Sequence, residues 1–169
     1  LTKNLKAHSQ VVYQQDSAYM LTDILKGTLT ESYGTGYGLA LENDMPAAGK
    51  TGTTNSSKDT WFCGYTRYYT TAIWVGYDTP RAMPGIYGKT YAGKIWKQVM
   101  DQIHEGKEPL DWEQPATVEM TTDSKSGITD LFSATLHERA EQSLHDKEQR
   151  KLEEDLETAV TAFEDKTIE

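Results

Sequence analysis

Pro46-Ala47-Ala48-Gly49-Lys50-Thr51-Gly52-Thr53-Thr54-Asn55 is the stretch on which the reading of this chain turns. It admits two arrangements, both built on Lys50. In a phosphate-binding loop, backbone amides at a helix start cradle a phosphate and the lysine neutralises it. That pattern needs a glycine five positions ahead of the Gly-Lys-Thr triplet, where this chain has Asp44, a carboxylate that repels phosphate. The loop must also open a helix, yet Gly52, two threonines and Asn55 follow, a poor helix start. In the second arrangement the stretch is a strand, so Lys50 and Gly52 face one way while Thr51 and Thr53 face the other. Such a strand edge offers a cation beside a reaction centre, hydroxyls for a carboxylate, and a backbone amide for a developing oxyanion. At Gly52 a side chain would obstruct a backbone approaching its ligand. A plainer account is an edge strand whose exposed lysine guards against strand pairing. The triplet alone does not separate these accounts.

Working outward, residues 60–65 and 70–77 are rich in Thr, Trp, Tyr, Val and Ile and read as two further strands. The connections Asn55-Ser56-Ser57-Lys58-Asp59 and Thr66-Arg67-Tyr68-Tyr69 are short, so with the strand over 48–54 they predict an antiparallel three-stranded meander. Upstream, Met20, Leu21, Ile24, Leu25 and Leu29 recur at helical spacing and predict a helix over 17–29, with Asp16 or Ser17 as cap. Glycine at alternate positions in Tyr33-Gly34-Thr35-Gly36-Tyr37-Gly38 marks a loop. After a second loop containing Pro80, Pro84, Gly85 and Gly88, Ile95, Trp96, Val99, Met100 and Ile103 predict a helix over 92–103.

Pro109, Pro115 and the polar run from Thr121 to Gly127 mark a boundary, giving a globular part over 1–115 and a linker with an acidic helical extension over 116–169. From Ser133 to Asp165 there is no Gly or Pro, and Leu136, Ala140, Leu144, Leu152, Leu156, Val160 and Phe163 form a narrow stripe on a charged helix. Glu148 interrupts the stripe, which favours a surface helix leaning on its own domain over a coiled coil.

The 169 residues suffice for one domain with a sizeable core, or a smaller globular part with an appendage. Beyond Gln114 the only aromatics are Phe132 and Phe163, which favours the second. A formal net charge of -9, without clustered Lys and Arg, argues against a nucleic-acid partner. The lone cysteine, Cys63, excludes an internal disulfide, and its neighbours Trp61, Phe62 and Tyr65 place it in a buried strand. Four scattered histidines without ligand spacing predict no metal. No apolar run is long enough to cross a bilayer and the first residues lack the apolar core of a signal peptide, so no membrane contact by this chain is expected.

Three blocks in order, Ala47 to Asn55, Lys58 to Tyr65 and Thr70 to Asp78, resemble the end of the transpeptidase domain of class A penicillin-binding proteins. Ser17 to Gly27 is similar to the helix that precedes the motif strand in that family. The resemblance runs from about Val12 to Ile103 and fades after Pro115. It implies an α+β fold of the D,D-peptidase and β-lactamase kind, an antiparallel sheet flanked by helices, here its C-terminal strands and helices only. The family works through Ser-x-x-Lys, Ser-x-Asn and Lys-Thr-Gly elements. Only the third is present: no serine of this chain has lysine three residues on or asparagine two residues on.

By resemblance, a serine outside this chain attacks the D-Ala-D-Ala end of a peptidoglycan stem peptide, releases D-alanine, and passes the acyl group to an amine. β-Lactams trap the same serine. Lys50 would carry positive charge near the proton-transfer network, Thr51 and Thr53 would bind the terminal carboxylate beside Gly52, and the Thr53 amide would complete the oxyanion hole. No cofactor is implied. The partner implied is an N-terminal remainder bearing the serine elements, anchored to the cytoplasmic membrane at the bacterial cell surface or periplasm. Trp61, Trp74 and Ile95 are then expected in a sheet-helix core completed by that other segment. The other function class is a non-catalytic module that binds or senses β-lactams.

Overall fold

The computed structural model describes residues 10–165, with side chains described through residue 158. They divide into two compact units between Pro115 and Ala116.

The first unit holds α1 (Gln15–Thr30), β1 (Ala48–Thr53), β2 (Asp59–Tyr65), β3 (Thr70–Gly76) and α2 (Lys94–His104), the last preceded by a wide helical turn over Lys89–Gly93. The strands form an antiparallel sheet in the order β1-β2-β3. Lys50 stands opposite Cys63, Thr51 opposite Phe62 and Gly52 opposite Trp61, and Phe62 in turn stands opposite Ile73. This is the expected meander, flanked by helices, and the motif stretch is a strand rather than a helix start. Asp44 lies outside it with a left-handed φ of 53°. The phosphate-loop arrangement is therefore absent.

Strand alternation decides which face is buried. Thr60, Phe62 and Gly64 of β2 are buried, and the residues between them are not. Phe62 and Trp96 are both fully buried, with ring centroids 4.8 Å apart. Leu29 from α1, Leu39, Leu41 and Met45 from the following loop, and Ala92 and Met100 complete the cluster. Each large apolar side chain removed from water here stabilises the fold by about 2 kcal/mol.

The short connections are held by side-chain caps. Thr54 Oγ1 accepts the Asp59 amide at 2.9 Å, while Ser56 and Ser57 take left-handed φ values of 61° and 49°. At the β2–β3 turn, Thr66 Oγ1 accepts the amides of Tyr68 and Tyr69 at 3.0 and 3.2 Å. Both lone pairs are thereby filled, so at its 2.8 Å contact with buried His104 Nε2 the hydroxyl donates. His104 Nδ1 donates to the Met100 carbonyl at 2.7 Å. A buried polar pair is thus fully satisfied where the last turn of α2 meets the sheet.

Several expectations need correction. Cys63 is exposed, because register puts it on the face opposite Phe62. Trp61, Trp74 and Ile95, expected in a core that a segment outside this chain completes, are 43%, 41% and 41% exposed here, which is no correction of that expectation. On α2 the stripe Trp96-Met100-His104, one turn apart, faces the sheet, and Val99 and Ile103 lie to the side with Ile95. On α1, Thr22 and Leu29 are buried while Leu21 and Ile24 are exposed. That helix begins at Gln15 after Gln14, which makes no side-chain cap bond; Asp16 sits in the first turn and accepts the Ser17 amide at 2.7 Å.

The second unit is a hairpin, β4 (Glu119–Thr122) and β5 (Thr129–Phe132), followed by α3 (Ala134–Asp165). The polar run from Thr121 to Gly127, read as part of a boundary, supplies the end of β4 and the turn that follows it. Asp123 Oδ1 accepts the Ser126 amide at 2.6 Å, the Ser126 hydroxyl at 2.8 Å and the Lys125 amide at 3.0 Å. These bonds hold its carboxyl below the ordinary aspartate value, the Ser126 amide most of all. Ser133 caps α3, its Oγ accepting the Leu136 amide at 3.2 Å. Leu144, Leu152 and Leu156 of that helix are exposed. The side chains of Val160 and Phe163 lie outside the described residues.

Candidate functional site

The outer edge of β1 is the place where polar groups converge. In an antiparallel pair, alternate residues turn both N–H and C=O toward the partner strand. The Thr54 amide donates to the Asp59 carbonyl at 3.0 Å, so Thr54, Gly52 and Lys50 bond toward β2. The backbone groups of Gly49, Thr51 and Thr53 therefore point outward. Two contacts agree with this alternation: the Gly49 carbonyl accepts the Thr28 hydroxyl of α1, and the Thr51 carbonyl accepts Lys50 Nζ at 3.1 Å. The Thr53 amide thus opens onto the edge where an anion can reach it.

Lys50 leaves β1 on the Trp61 face, but its chain curls over the edge. Its Nζ lies 3.4 Å from Thr51 Oγ1 and 3.4 Å from Thr35 Oγ1. Strand alternation therefore does not keep Lys50 and Thr51 apart, because the ammonium is long enough to rejoin the hydroxyl around the edge. Among the described residues no carboxylate stands within ion-pair distance of Lys50. Thr53 Oγ1 accepts the Gly88 amide at 3.1 Å, which leaves its own proton free to donate.

Two loops bring these partners in. Gly34 and Gly36 lie close against the end of α1, and the Gly36 amide donates to the Thr28 carbonyl at 3.0 Å. Any Cβ on Gly36 would meet Leu29 Cδ2 at 3.1 Å. Gly88 comes so near the sheet that a Cβ would stand 2.5 Å from the Trp61 carbonyl oxygen. Thr35 and Gly88 were not among the sequence-derived candidates. The signal available for Thr35 was a hydroxyl residue set between glycines, which by itself reads only as loop.

The four candidates therefore lie together. Lys50 and Thr51 share a hydrogen-bonded group with Thr35, Gly52 lies between Thr51 and Thr53 with its open side next to Trp61, and Thr53 presents a hydroxyl and an outward amide. Chemically this is one uncompensated cation, hydroxyls and an N–H along one edge, suited to an anion and to an oxygen gaining negative charge.

Comparison with known proteins gives the family. The family model of the penicillin binding protein transpeptidase domain matches residues 2–101. Penicillin-binding protein 1A of Clostridium acetobutylicum is 40% identical over 113 residues, 67% of this chain and 14% of that protein. Penicillin-binding protein 1A of Pseudomonas aeruginosa is 38% identical over 114 residues, 66% of this chain and 14% of that protein. The crystal structure of penicillin-binding protein 1A from Haemophilus influenzae superposes with a TM-score of 0.59 at 22% identity, covering 70% of this chain and 20% of that one, a likeness of fold. This chain spans about a seventh of the length of those curated relatives. With the family model matched over more than half its length, the chain belongs to the penicillin-binding protein transpeptidase family.

Proposed function

We propose that β1 is one wall of a serine-type D,D-transpeptidase site that crosslinks peptidoglycan stem peptides and is a target of β-lactams. The serine belongs to a polypeptide segment outside these 169 residues, since no Ser-x-x-Lys occurs in them. In the reaction its hydroxyl oxygen adds to the carbonyl of the penultimate D-alanine. The oxyanion collapses to an ester as D-alanine leaves with the proton, and an acceptor amine then displaces the serine to form the crosslink. Lys50 holds positive charge beside the proton transfers, Thr51 and Thr53 bind the terminal carboxylate, and Gly52 leaves room for the substrate backbone. The Thr53 amide stabilises the oxyanion, a donor worth about 3–4 kcal/mol of barrier in such sites.

The observation that carries this reading is the outward-facing edge, where the Thr53 amide and the Lys50–Thr51 pair stand with no carboxylate of the described residues in ion-pair contact with Lys50. Half-exposed Trp61 and Trp74, with exposed Leu21 and Ile24, support a further segment of the same protein packing against this unit. No helix among the described residues is long and apolar enough to cross a membrane. In the proposal the serine-bearing segment supplies the anchor and places the site outside the cytoplasmic membrane. A non-catalytic β-lactam-binding or sensing module is the second reading, which a full-length protein without a Ser-x-x-Lys element would favour.

The test is labelling of the full-length protein with a fluorescent penicillin. The protein takes up label covalently and Lys50→Ala abolishes it. Undiminished labelling of Lys50→Ala refutes the role assigned to that edge, and penicillin binding with neither covalent label nor crosslinking of stem peptides selects the non-catalytic module.

A further inference from the structure

Thr35 is an exposed residue in a glycine-flanked loop, and nothing in its packing explains its position. Its hydrogen bonds do. Thr35 Oγ1 accepts the Thr51 hydroxyl at 2.9 Å and stands 3.4 Å from the Lys50 ammonium. A hydroxyl has one proton and two acceptor positions. Both acceptor positions of Thr35 are filled, by Thr51 and by Lys50, so its proton is the free one. The Thr51 proton, in contrast, is committed to Thr35. For Thr51 to donate to an incoming carboxylate, the bond between the two hydroxyls must reverse, with Thr35 donating to Thr51 Oγ1. Thr35 holds the unused proton that this reversal needs.

We propose that Thr35 is a positioning residue for carboxylate recognition: its hydroxyl fixes Thr51 Oγ1 and Lys50 Nζ and, by reversing its bond, turns the Thr51 proton toward the ligand's carboxylate. The proposal rests on the transpeptidase reading above. Loop placement supports it independently. Gly34 and Gly36 let the backbone lie against the end of α1, whose Thr28 also bonds to the Gly49 carbonyl of β1, so the loop and the strand edge are held by one helix end. Valine at 35 has nearly the same shape and neither donates nor accepts. Serine keeps the hydroxyl.

The experiment measures acylation rate constants of the full-length protein with a penicillin and with its methyl ester, which lacks the negative charge. Thr35→Val is expected to slow acylation by the penicillin about 10- to 100-fold, the loss of one hydrogen bond serving a charged group. It should leave the ester rate within about 3-fold of wild type, a margin set by the contact's modest size when no charge is involved. Thr35→Ser is expected to restore the penicillin rate. Equal slowing of both compounds, or no recovery with serine, shows a merely structural role and overturns the proposal. Unchanged penicillin acylation in Thr35→Val overturns it too, and if Lys50→Ala is inactive in the same series the parent reading stands. Full activity of Lys50→Ala removes both.

Discussion

Two glycines on neighbouring strands separate fold from function. Gly64 of β2 points to the buried face, where an added Cβ would lie 2.5 Å from Trp96 Cζ2 and 2.6 Å from Cε2. Trp96 is fully buried, with the Phe62 ring at 4.8 Å, and has nowhere to move. Gly64→Ala therefore costs about 1–3 kcal/mol of stability through overpacking. Gly52 of β1 points to the other face, where the nearest atom to an added Cβ is Trp61 Cβ at 3.2 Å, on a side chain 43% exposed. A few tenths of an ångström of movement accommodates it, so Gly52→Ala costs under about 1 kcal/mol, the ordinary size of a surface change. The same methyl stands beside the edge assigned to substrate in the proposed function. A displacement of about 1 Å at a reacting centre slows chemistry on the order of 100-fold. Thermal denaturation and penicillin acylation of both full-length variants make the comparison. Gly52→Ala should melt near wild type and acylate at least about tenfold more slowly, a conservative fraction of that loss. Gly64→Ala should melt lower and, where folded, acylate normally. Wild-type acylation by Gly52→Ala, or a melting loss matching Gly64→Ala, refutes the reasoning.

The Asp123 turn gives a pH dependence. Its carboxyl is held below the ordinary value, so the turn's extra stability is complete above the unfolded pKa, about 4 for aspartate, and is lost as pH falls through the lower folded value. Amide signals of Lys125 and Ser126 should lose protection only below about pH 4, and protection unchanged down to full protonation contradicts the assignment. At His104, replacement by Ala strands the buried Thr66 hydroxyl and removes the side-chain bond to the Met100 carbonyl. Denaturant unfolding should show a loss of about 2–4 kcal/mol, the bonds and the cavity together; a loss below about 0.5 kcal/mol, the size of a surface change, means the pair is not a structural tie.

Where the sequence alternates strongly, it was legible. Thr60, Phe62 and Gly64 set the buried face of β2, and short polar connections left antiparallel neighbours as the simplest arrangement. Cys63 was misplaced because a residue-type preference for burial was allowed to outweigh the period of two, which puts it opposite Phe62. Trp61 and Trp74 share that open face with Cys63, and it is the face on which a core completed by another segment would have to form. The β4–β5 hairpin was missed because all four residues of β4 are exposed and carry no apolar alternation to detect. At the site, Lys50, Thr51, Gly52 and Thr53 were found because they are contiguous. Thr35 was not, because its meeting with Thr51 spans sixteen positions and depends on how closely two glycines let a loop approach α1.

The most direct measurement is a crystal structure of the full-length protein carrying a bound penicillin as its covalent acyl adduct. The drug's carboxylate should lie within about 3 Å of the Thr51 and Thr53 hydroxyl oxygens, with the acyl oxygen at a similar distance from the Thr53 amide. An adduct whose carboxylate turns away from β1, with Lys50 and Thr53 contacting only solvent, would contradict the account.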